Sequence, residues 1–294
     1  MKTTAPVLPR IIHFYLLALL LATGLLYFGP EDVQLTRILA FGPRWLAGAP
    51  LMVLLPLACR KGLLLTCELL LCAALIAGLF MGYTLRISEP VAHGEVLRVL
   101  NCNLNGTVPD QEEFSGIVLE QGIDVIVPQG CPQNLILNLP SGWSAEHQGK
   151  LAIFSRYGLT PPTSSMEVLP WLVCSMRTPS GKVVIANADC NNTAQWKLFP
   201  ADTRKQPTII AGNFGMPAEN YAFRNTWPEL SNVFSMVGKG YGWTEMKTTM
   251  GISWGIRSAQ ILVSADVQPI SCEVGPDIGT SHRPLLSELV LTAP

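Results

Sequence analysis

Charge is scarce in this sequence. Asp, Glu, Lys and Arg make up 14% of its 294 residues, against about 25% in ordinary soluble domains. The shortage is local. From Ile11 to Tyr83 the ionisable residues, apart from a few Cys and Tyr, are His13, Glu31, Asp32, Arg37, Arg44, Arg60, Lys61 and Glu68. Clustered cations are also lacking. From Glu89 to the end there are 13 Lys and Arg against 18 Asp and Glu, a balance of −5. That weighs against nucleic acid as a partner, because displacing counterions from phosphate needs grouped positive charge. No C-x-x-C pair occurs among the eight cysteines, which removes zinc-knuckle and thioredoxin-like readings. Cys59, Cys67 and Cys72 lie in or beside apolar runs, where a thiol behaves as a small hydrophobe. Spacing alone assigns no disulfide to Cys102, Cys131, Cys174, Cys190 or Cys272.

What the N-terminal part does have is long apolar runs. Ile11–Phe28 and Gly62–Tyr83 are each about as long as the ~20 residues a spanning helix needs. Trp45–Ala58 is shorter, carries Pro50 and Pro56, and is either re-entrant or extended back through Ile38–Phe41. The first run is longer than a signal-peptide core and is followed by further apolar runs, so it reads as a retained span. Residues 1–88 are therefore expected to be a multi-pass membrane anchor, with spans near 11–28, 45–58 and 62–83 and the lipid bilayer as partner. Lys2 and Arg10 before the first span and Arg60 and Lys61 before the third share one face. The positive-inside rule makes that face cytoplasmic and leaves residues 89–294 outside the cytoplasm. Glu68 falls within the third span, either as a functional acid or as one facing another helix. Three spans with one buried acid offer little material for a transport pathway.

After Glu89 the pattern changes to short β-rich runs. Val96–Leu100, Ile123–Val127, Leu151–Ser155, Trp171–Met176, Val183–Ala188, Thr208–Ala211, Gln260–Val263 and Ser287–Thr292 read as strands. Gln111–Gln121 reads as a helix from Phe114, Ile117 and Val118, with Gly122 as its C-terminal stop. Pro179, Ser180 and Gly181 mark a hairpin turn. Many strands with few helices predict a layered α/β domain.

The order of these strands resembles the endonuclease/exonuclease/phosphatase superfamily from about Leu97 onward. Leu97–Asn105 is similar to the opening strand, with Asn103 in the place of a site asparagine. Ile123–Gly130 resembles the strand that normally ends in Gln-Glu, and Leu151–Arg156 the serine-arginine strand. Val183–Asp189 resembles the strand that ends in histidine, and Ile209–Gly215 the Gly-Asp-Phe-Asn motif. Arg257–Ser264 resembles the strand preceded by aspartate, and Thr280–Pro284 the closing Ser-Asp-His-Arg-Pro motif. The resemblance implies a four-layer α/β sandwich of two mixed β-sheets. The anchor is similar to that of membrane-anchored bacterial members resembling teicoplanin-resistance-type proteins, which points to the bacterial envelope. The segment Gly240–Thr244 looks like a loop of that subgroup.

The family's chemistry rests on carboxylates that hold magnesium through hard oxygen ligands and on an aspartate-supported histidine that moves protons. Carried over position by position, the metal-binding glutamate falls at Gly130, the strand-end histidine at Asp189 and the motif aspartate at Asn213. The last two aspartates fall at Ala259 and Ser281. All four matched carboxylate positions are uncharged. Asn103 and Gln129 remain as substrate-binding positions. His282, Asn213 and Asp189 are the vestigial catalytic positions, with no metal ligand and no cofactor favoured. A one-residue shift of the motifs would bring Asp124, Asp189 or Asp277 toward a metal role, and Cys102, Cys131 and Cys190 flank the strand ends. Asp124 otherwise reads as a turn residue, and alternation turns Cys102 away from Asn103. The expectation is a pseudoenzyme that binds an unknown protein or small ligand. The alternative is a magnesium-dependent phosphoester hydrolase with a rebuilt site.

Overall fold

A computed structural model describes residues 7–30, 32–86, 90–91, 94–133, 135–161, 170–190, 192–200 and 206–292. Lys2, Glu31 and Glu89, which figured in the topology and boundary readings, lie outside the described residues. The chain forms two compact units. One comprises Met1–Tyr83 with Glu219–Ala222 and Thr248–Trp254; the other comprises Thr84–Ala218, Phe223–Lys247 and Gly255–Pro294.

In the first unit, helix α1 (Val7–Phe28) and helix α4 (Leu63–Leu75), extended by a π turn over Ile76–Phe80, are long and apolar enough to cross a membrane. The middle run is not one straight helix. Helix α2 (Gln34–Phe41) meets the helical run Arg44–Cys59, whose α-helical part is α3 (Ala49–Cys59), at 89° across a break, so they form either a broken span or a re-entrant loop. Gly42 and Pro43 sit at the break, where proline supplies no N–H to continue a helix. Arg44 is held there by donating to the Phe80 and Ala40 carbonyls at 2.9 and 3.0 Å, and lies 3.5 Å from the Glu219 carboxylate. Glu68 faces another helix: its carboxylate is 2.7 Å from His13 Nδ1 on α1. Large apolar side chains such as Phe14, Leu21, Met52 and Leu64 remain exposed on these helices, as expected of helices apolar on all sides.

Among the described residues there are fourteen strands, all but part of one hairpin belonging to the second unit. The strands are β1 (Val96–Asn103), β2 (Val125–Gln129), β3 (Ser144–Gln148), β4 (Leu151–Ser155), β5 (Leu159–Thr160), β6 (Trp171–Thr178) and β7 (Gly181–Asp189). They continue with β8 (Thr208–Asn213), β9 (Ser231–Asn232), β10 (Glu245–Thr249), β11 (Ile252–Ile256), β12 (Ala259–Val263), β13 (Val267–Val274) and β14 (Leu285–Leu291). Two sheets run in the orders β13-β14-β1-β2-β4-β3 and β5-β6-β7-β8-β12-β9, and β10 and β11 pair by themselves. Each large sheet is mixed and has one parallel pair at its centre, β1 with β2 and β7 with β8. This is the two-sheet α/β class the sequence predicts.

Strand alternation builds the core. Val99, Val125, Val127 and Ile153 of the first sheet meet Ile185, Ile209, Ala211 and Ile261 of the second in one buried cluster. The opposite face of the first sheet (Leu100, Cys102, Ile126, Phe154) packs on helix α5 (Gln111–Glu120) through Phe114 and Val118. Asp110 caps α5 by accepting from Glu112 N and Glu113 N, and Gly122 stops it at φ 59°, the left-handed cap geometry glycine favours. Outside the second sheet, Trp196 of helix α6 (Thr193–Trp196) and Phe223 of helix α7 (Tyr221–Thr226) join Trp171, Phe214 and Trp227 in an aromatic cluster. A last helix, α8 (Val233–Val237), seals an end of the inter-sheet core with Val233, Phe234 and Val237.

The inter-sheet layer also contains amides. Gln129 Nε2 lies 2.9, 2.8 and 2.7 Å from Asn101 Oδ1, Asn187 Oδ1 and Val127 O and shares its two hydrogens among them, while Gln129 Oε1 is buried with no partner among the described residues. Asn187 Nδ2 reaches Pro128 O and Ala152 O on the facing sheet, both at 2.7 Å, and Asn101 Nδ2 reaches Gly212 O and Gln260 O at 3.2 and 3.1 Å. All three side chains are fully buried. Removing one partner strands buried polar groups, at a cost of about 1–3 kcal/mol. Asn187→Ala should therefore lower the unfolding free energy of the full chain in detergent by that amount, while a substitution of the exposed Lys182 should leave it unchanged.

Candidate functional site

The two parallel pairs end at the same rim. Asn103 lies opposite Gln129, and Asp189 opposite Asn213, each in register. Side chains at positions 99, 101 and 103, and at 185, 187 and 189, share the inward face by alternation. Asn103, Asp189 and Asn213 thus line the rim, and the Gln129–Asn101–Asn187 network lies one layer below. Gln129 was expected to contact substrate. Its side chain is instead fully buried, and its amide is used in joining the sheets.

Asn103 serves the rim loop. Its Oδ1 accepts from Asn105 N at 2.9 Å, and its carbonyl accepts from Thr280 Oγ1 at 3.2 Å. The loop then closes over Gly130. Leu104 N donates to Gln129 O at 2.9 Å and Gly106 N to Gly130 O at 2.7 Å. Gly130 has φ 60°, and a Cβ there would lie 2.8 Å from Asn105 N and 3.0 Å from Asn103 Oδ1. Gly130, which the family resemblance would match to a metal-binding glutamate, therefore has a backbone that opposes any side chain. Asn105 itself is left-handed at φ 49°, a conformation asparagine tolerates better than most residues.

Asp189 and Asn213 form a side-chain pair, Asn213 Nδ2 donating to Asp189 Oδ1 at 3.3 Å. Asn213 Oδ1 is buried and has no hydrogen-bond partner. Burial pushes the Asp189 carboxyl above its ordinary range, opposed by the Asn213 hydrogen bond and by the charges of His282 and Lys150. Ala259, the next position across the sheet from Asn213, is buried in the inter-sheet core.

His282 has acquired a neighbour that the sequence motifs do not mark. Thr244 fixes the segment: its Oγ1 accepts from Ser258 N and Ala259 N, and its carbonyl accepts from Arg283 N at 2.7 Å. This brings Glu245 opposite His282, with Glu245 Oε2 3.8 Å from Nε2. Glu245 also lies 3.4 Å from Lys247 Nζ. On the other ring nitrogen, Ser281 Oγ is 3.0 Å from Nδ1 and accepts from Asn105 Nδ2 at 3.2 Å. Burial pushes the imidazole pKa down, opposed by Glu245 and Asp189 and reinforced by Lys247. The ring can accept a proton, yet 3.8 Å is beyond hydrogen-bonding distance, so Glu245 influences its charge without fixing its orientation.

The remaining candidates are structural. Asp124 accepts from Arg98 N and pairs with Arg156 at 2.9 Å before β2 begins, at the strand end away from the rim. Asp277 Oδ1 accepts from Gly279 N within its turn. Cys102, Cys131 and Cys190 are buried free thiols. Burial pushes Cys131 up to about 12 and raises the other two as well, so none supplies the thiolate that nucleophilic chemistry needs.

Magnesium asks for several hard oxygen ligands at close range. Among the described residues no group of three His, Cys, Asp or Glu side chains converges as a metal site. At the rim, Asp189 is shared with Asn213, Glu245 lies beside Lys247, and Gly130 is closed by the Asn105 loop. These residues do not fit the ion.

Two predictions follow from these placements. Gly130→Glu should lower stability and confer no magnesium binding, read by thermal denaturation with and without the ion, because φ and the Asn105 contact both oppose a side chain. The second concerns pH. A raised carboxyl pKa contributes stability that is fully present below the unfolded value and lost as pH rises through the folded one; a lowered imidazole pKa contributes stability lost as pH falls. Asp189→Asn should therefore raise the melting temperature at neutral pH, with the gain fading below pH ~4. His282→Gln should weaken the loss of stability below pH ~6.5. Melting curves of the full chain across this range test both.

No protein-family model matches the chain, and a search of curated proteins finds no match. Solved structures do resemble it. An endonuclease/exonuclease/phosphatase protein from Bacteroides vulgatus superposes with a TM-score of 0.52 and 11% identity over 67% of this chain and 99% of that one. The 3'-5' exonuclease NExo from Neisseria meningitidis gives 0.51 and 16% over 66% of this chain and 100% of that one. The endonuclease domain of TRAS1, a telomere-specific non-LTR retrotransposon, gives 0.51 and 13% over 66% and 98%. Identity at this level speaks for fold and leaves activity to the site itself. The β-sandwich of this chain has the endonuclease/exonuclease/phosphatase fold.

Proposed function

We propose that this chain is a membrane-anchored pseudoenzyme whose endonuclease/exonuclease/phosphatase-fold domain, residues 89–294, acts outside the cytoplasm by binding a small ligand or partner protein at the rim. The anchor is read as similar to that of bacterial envelope proteins of the teicoplanin-resistance type. One observation supports the loss of catalysis: Gly130, where the family resemblance would put the metal-binding glutamate, has a left-handed backbone and a Cβ there would crowd Asn105. Without a divalent ion, the cations described near the rim, Lys150 and Lys247, would be left to offset the charge that develops on a phosphoryl group in transfer. Lys150 and Lys247 stand near acids, and Asn213 cannot take a proton as aspartate does.

What remains suits recognition. Asn103, Asp189, Asn213 and His282 present mixed donors and acceptors at the end of a two-sheet core, and Asn213 Oδ1 is a buried acceptor with no partner among the described residues. Calorimetric titration of magnesium and manganese into the purified full chain, with phosphomonoesterase and phosphodiesterase assays on the same sample, tests the reading. The expected result is no binding heat and no turnover. Turnover that requires the metal and disappears in His282→Gln or Asp189→Asn would overturn the proposal in favour of a rebuilt hydrolase.

A further inference from the structure

The hairpin of β10 and β11 carries an unusual tip. Its two-residue loop is Met250–Gly251, with φ 52° and 77°. Two-residue hairpin loops need positive φ, and Asn-Gly is the sequence that meets the need with least strain. Here an unbranched apolar residue takes the left-handed position, and Met250 is 97% exposed. Neither local conformation nor burial within the chain accounts for methionine at that position, and retained backbone strain is a reason to look for a role.

The tip, Thr248–Trp254, belongs to the same compact unit as the apolar helices. Two indoles join it to the break between α2 and α3. Trp254 Nε1 donates to Phe41 O at 2.7 Å, and Trp45 Nε1 donates to Ser253 O at 3.2 Å. Phe41 ends a helix and Trp45 stands just beyond the break, so the hairpin is tied to the end of an apolar segment. Tryptophan collects at the headgroup level of a bilayer because its ring is apolar and its N–H needs a partner. Beside the tip, Ile252 is also exposed.

We infer that the Met250 tip inserts into the headgroup region of the bilayer as a second, non-helical membrane contact. The inference rests on reading the N-terminal helices as a membrane anchor. Lipid is the occupant because the tip is continuous with those helices, through hydrogen bonds at their broken end. Methionine suits such a contact: it is flexible, and its thioether is apolar yet polarisable.

The test uses the full chain with the exposed Cys59 and Cys67 changed to alanine, leaving the buried thiols in place. Met250→Cys and, as reference, Lys182→Cys are each labelled with an environment-sensitive nitrobenzoxadiazole dye and reconstituted into phosphatidylcholine–phosphatidylglycerol vesicles. The expected result is a blue-shifted emission at position 250 that a shallow doxyl-labelled phosphatidylcholine quenches several-fold more than at position 182, with iodide quenching in the reverse order. A chain that fails to float with the vesicles would overturn the membrane reading itself. A chain that floats while position 250 is quenched by iodide like position 182 would overturn the insertion alone. A label shielded from both quenchers would mean a protein partner or second copy covers the tip, and also overturns it.

Discussion

Everything at the rim depends on three buried amides. Apolar packing between two sheets is tolerant of sliding, since one β-branched side chain fits against another in many offsets. Hydrogen bonds between Gln129, Asn101, Asn187 and the carbonyls of Pro128, Ala152, Gly212 and Gln260 are not. A shift of one residue would turn each amide to the other face and leave several polar atoms buried without partners. The network therefore fixes how the central parallel pair of one sheet faces that of the other. It is the reason Asn103 and Asp189, on different sheets, finish in the same place.

Above that layer the positions that the family resemblance would match to metal-binding acids are uncharged, which spares them the mutual repulsion that clustered carboxylates suffer without a cation. Gly130, Asn213, Ala259 and Ser281 are each used in packing or hydrogen bonding. Gly130 accepts a loop, Ala259 enters the core, Asn213 pairs with Asp189, and Ser281 bridges Asn105 and His282. The acid at position 189 is then tolerable because a neutral amide, not a second carboxylate, lies beside it.

The fold was legible where the chain alternates strongly or runs apolar. Leu151–Ser155 is bounded in the structure as the pattern predicts, and Gly122 ends α5 as read, while the Asp110 cap is seen only in the structure. Illegible strands were those without such a pattern. β3 reads Ser-Ala-Glu-His-Gln and β10 Glu-Met-Lys-Thr-Thr, polar because they lie at a sheet edge or in a two-stranded hairpin. β13 contains Pro269 and a register shift between Pro269 and Ser271, which blurs its alternation. At the site, motif order led to Asn103, Asp189, Asn213 and His282, because three of them end a recognisable strand and His282 precedes one. Glu245 was not visible, since it reaches His282 through a hydrogen-bonded return from Thr244 that no local spacing encodes. The depth of Gln129 was also hidden: the sequence places it at a strand end, and only the facing sheet reveals that an amide rather than a ligand completes it.

All eight cysteines are free, and the five in the second unit are buried. No covalent link closes any loop, so the packed domain offers a reductant no disulfide to cleave. The same thiols are distributed over β1, β6, β13 and the ends of β2 and β7. A small alkylating reagent can reach them only when those strands part, and the rate of modification at each position would record, strand by strand, how often the sandwich opens.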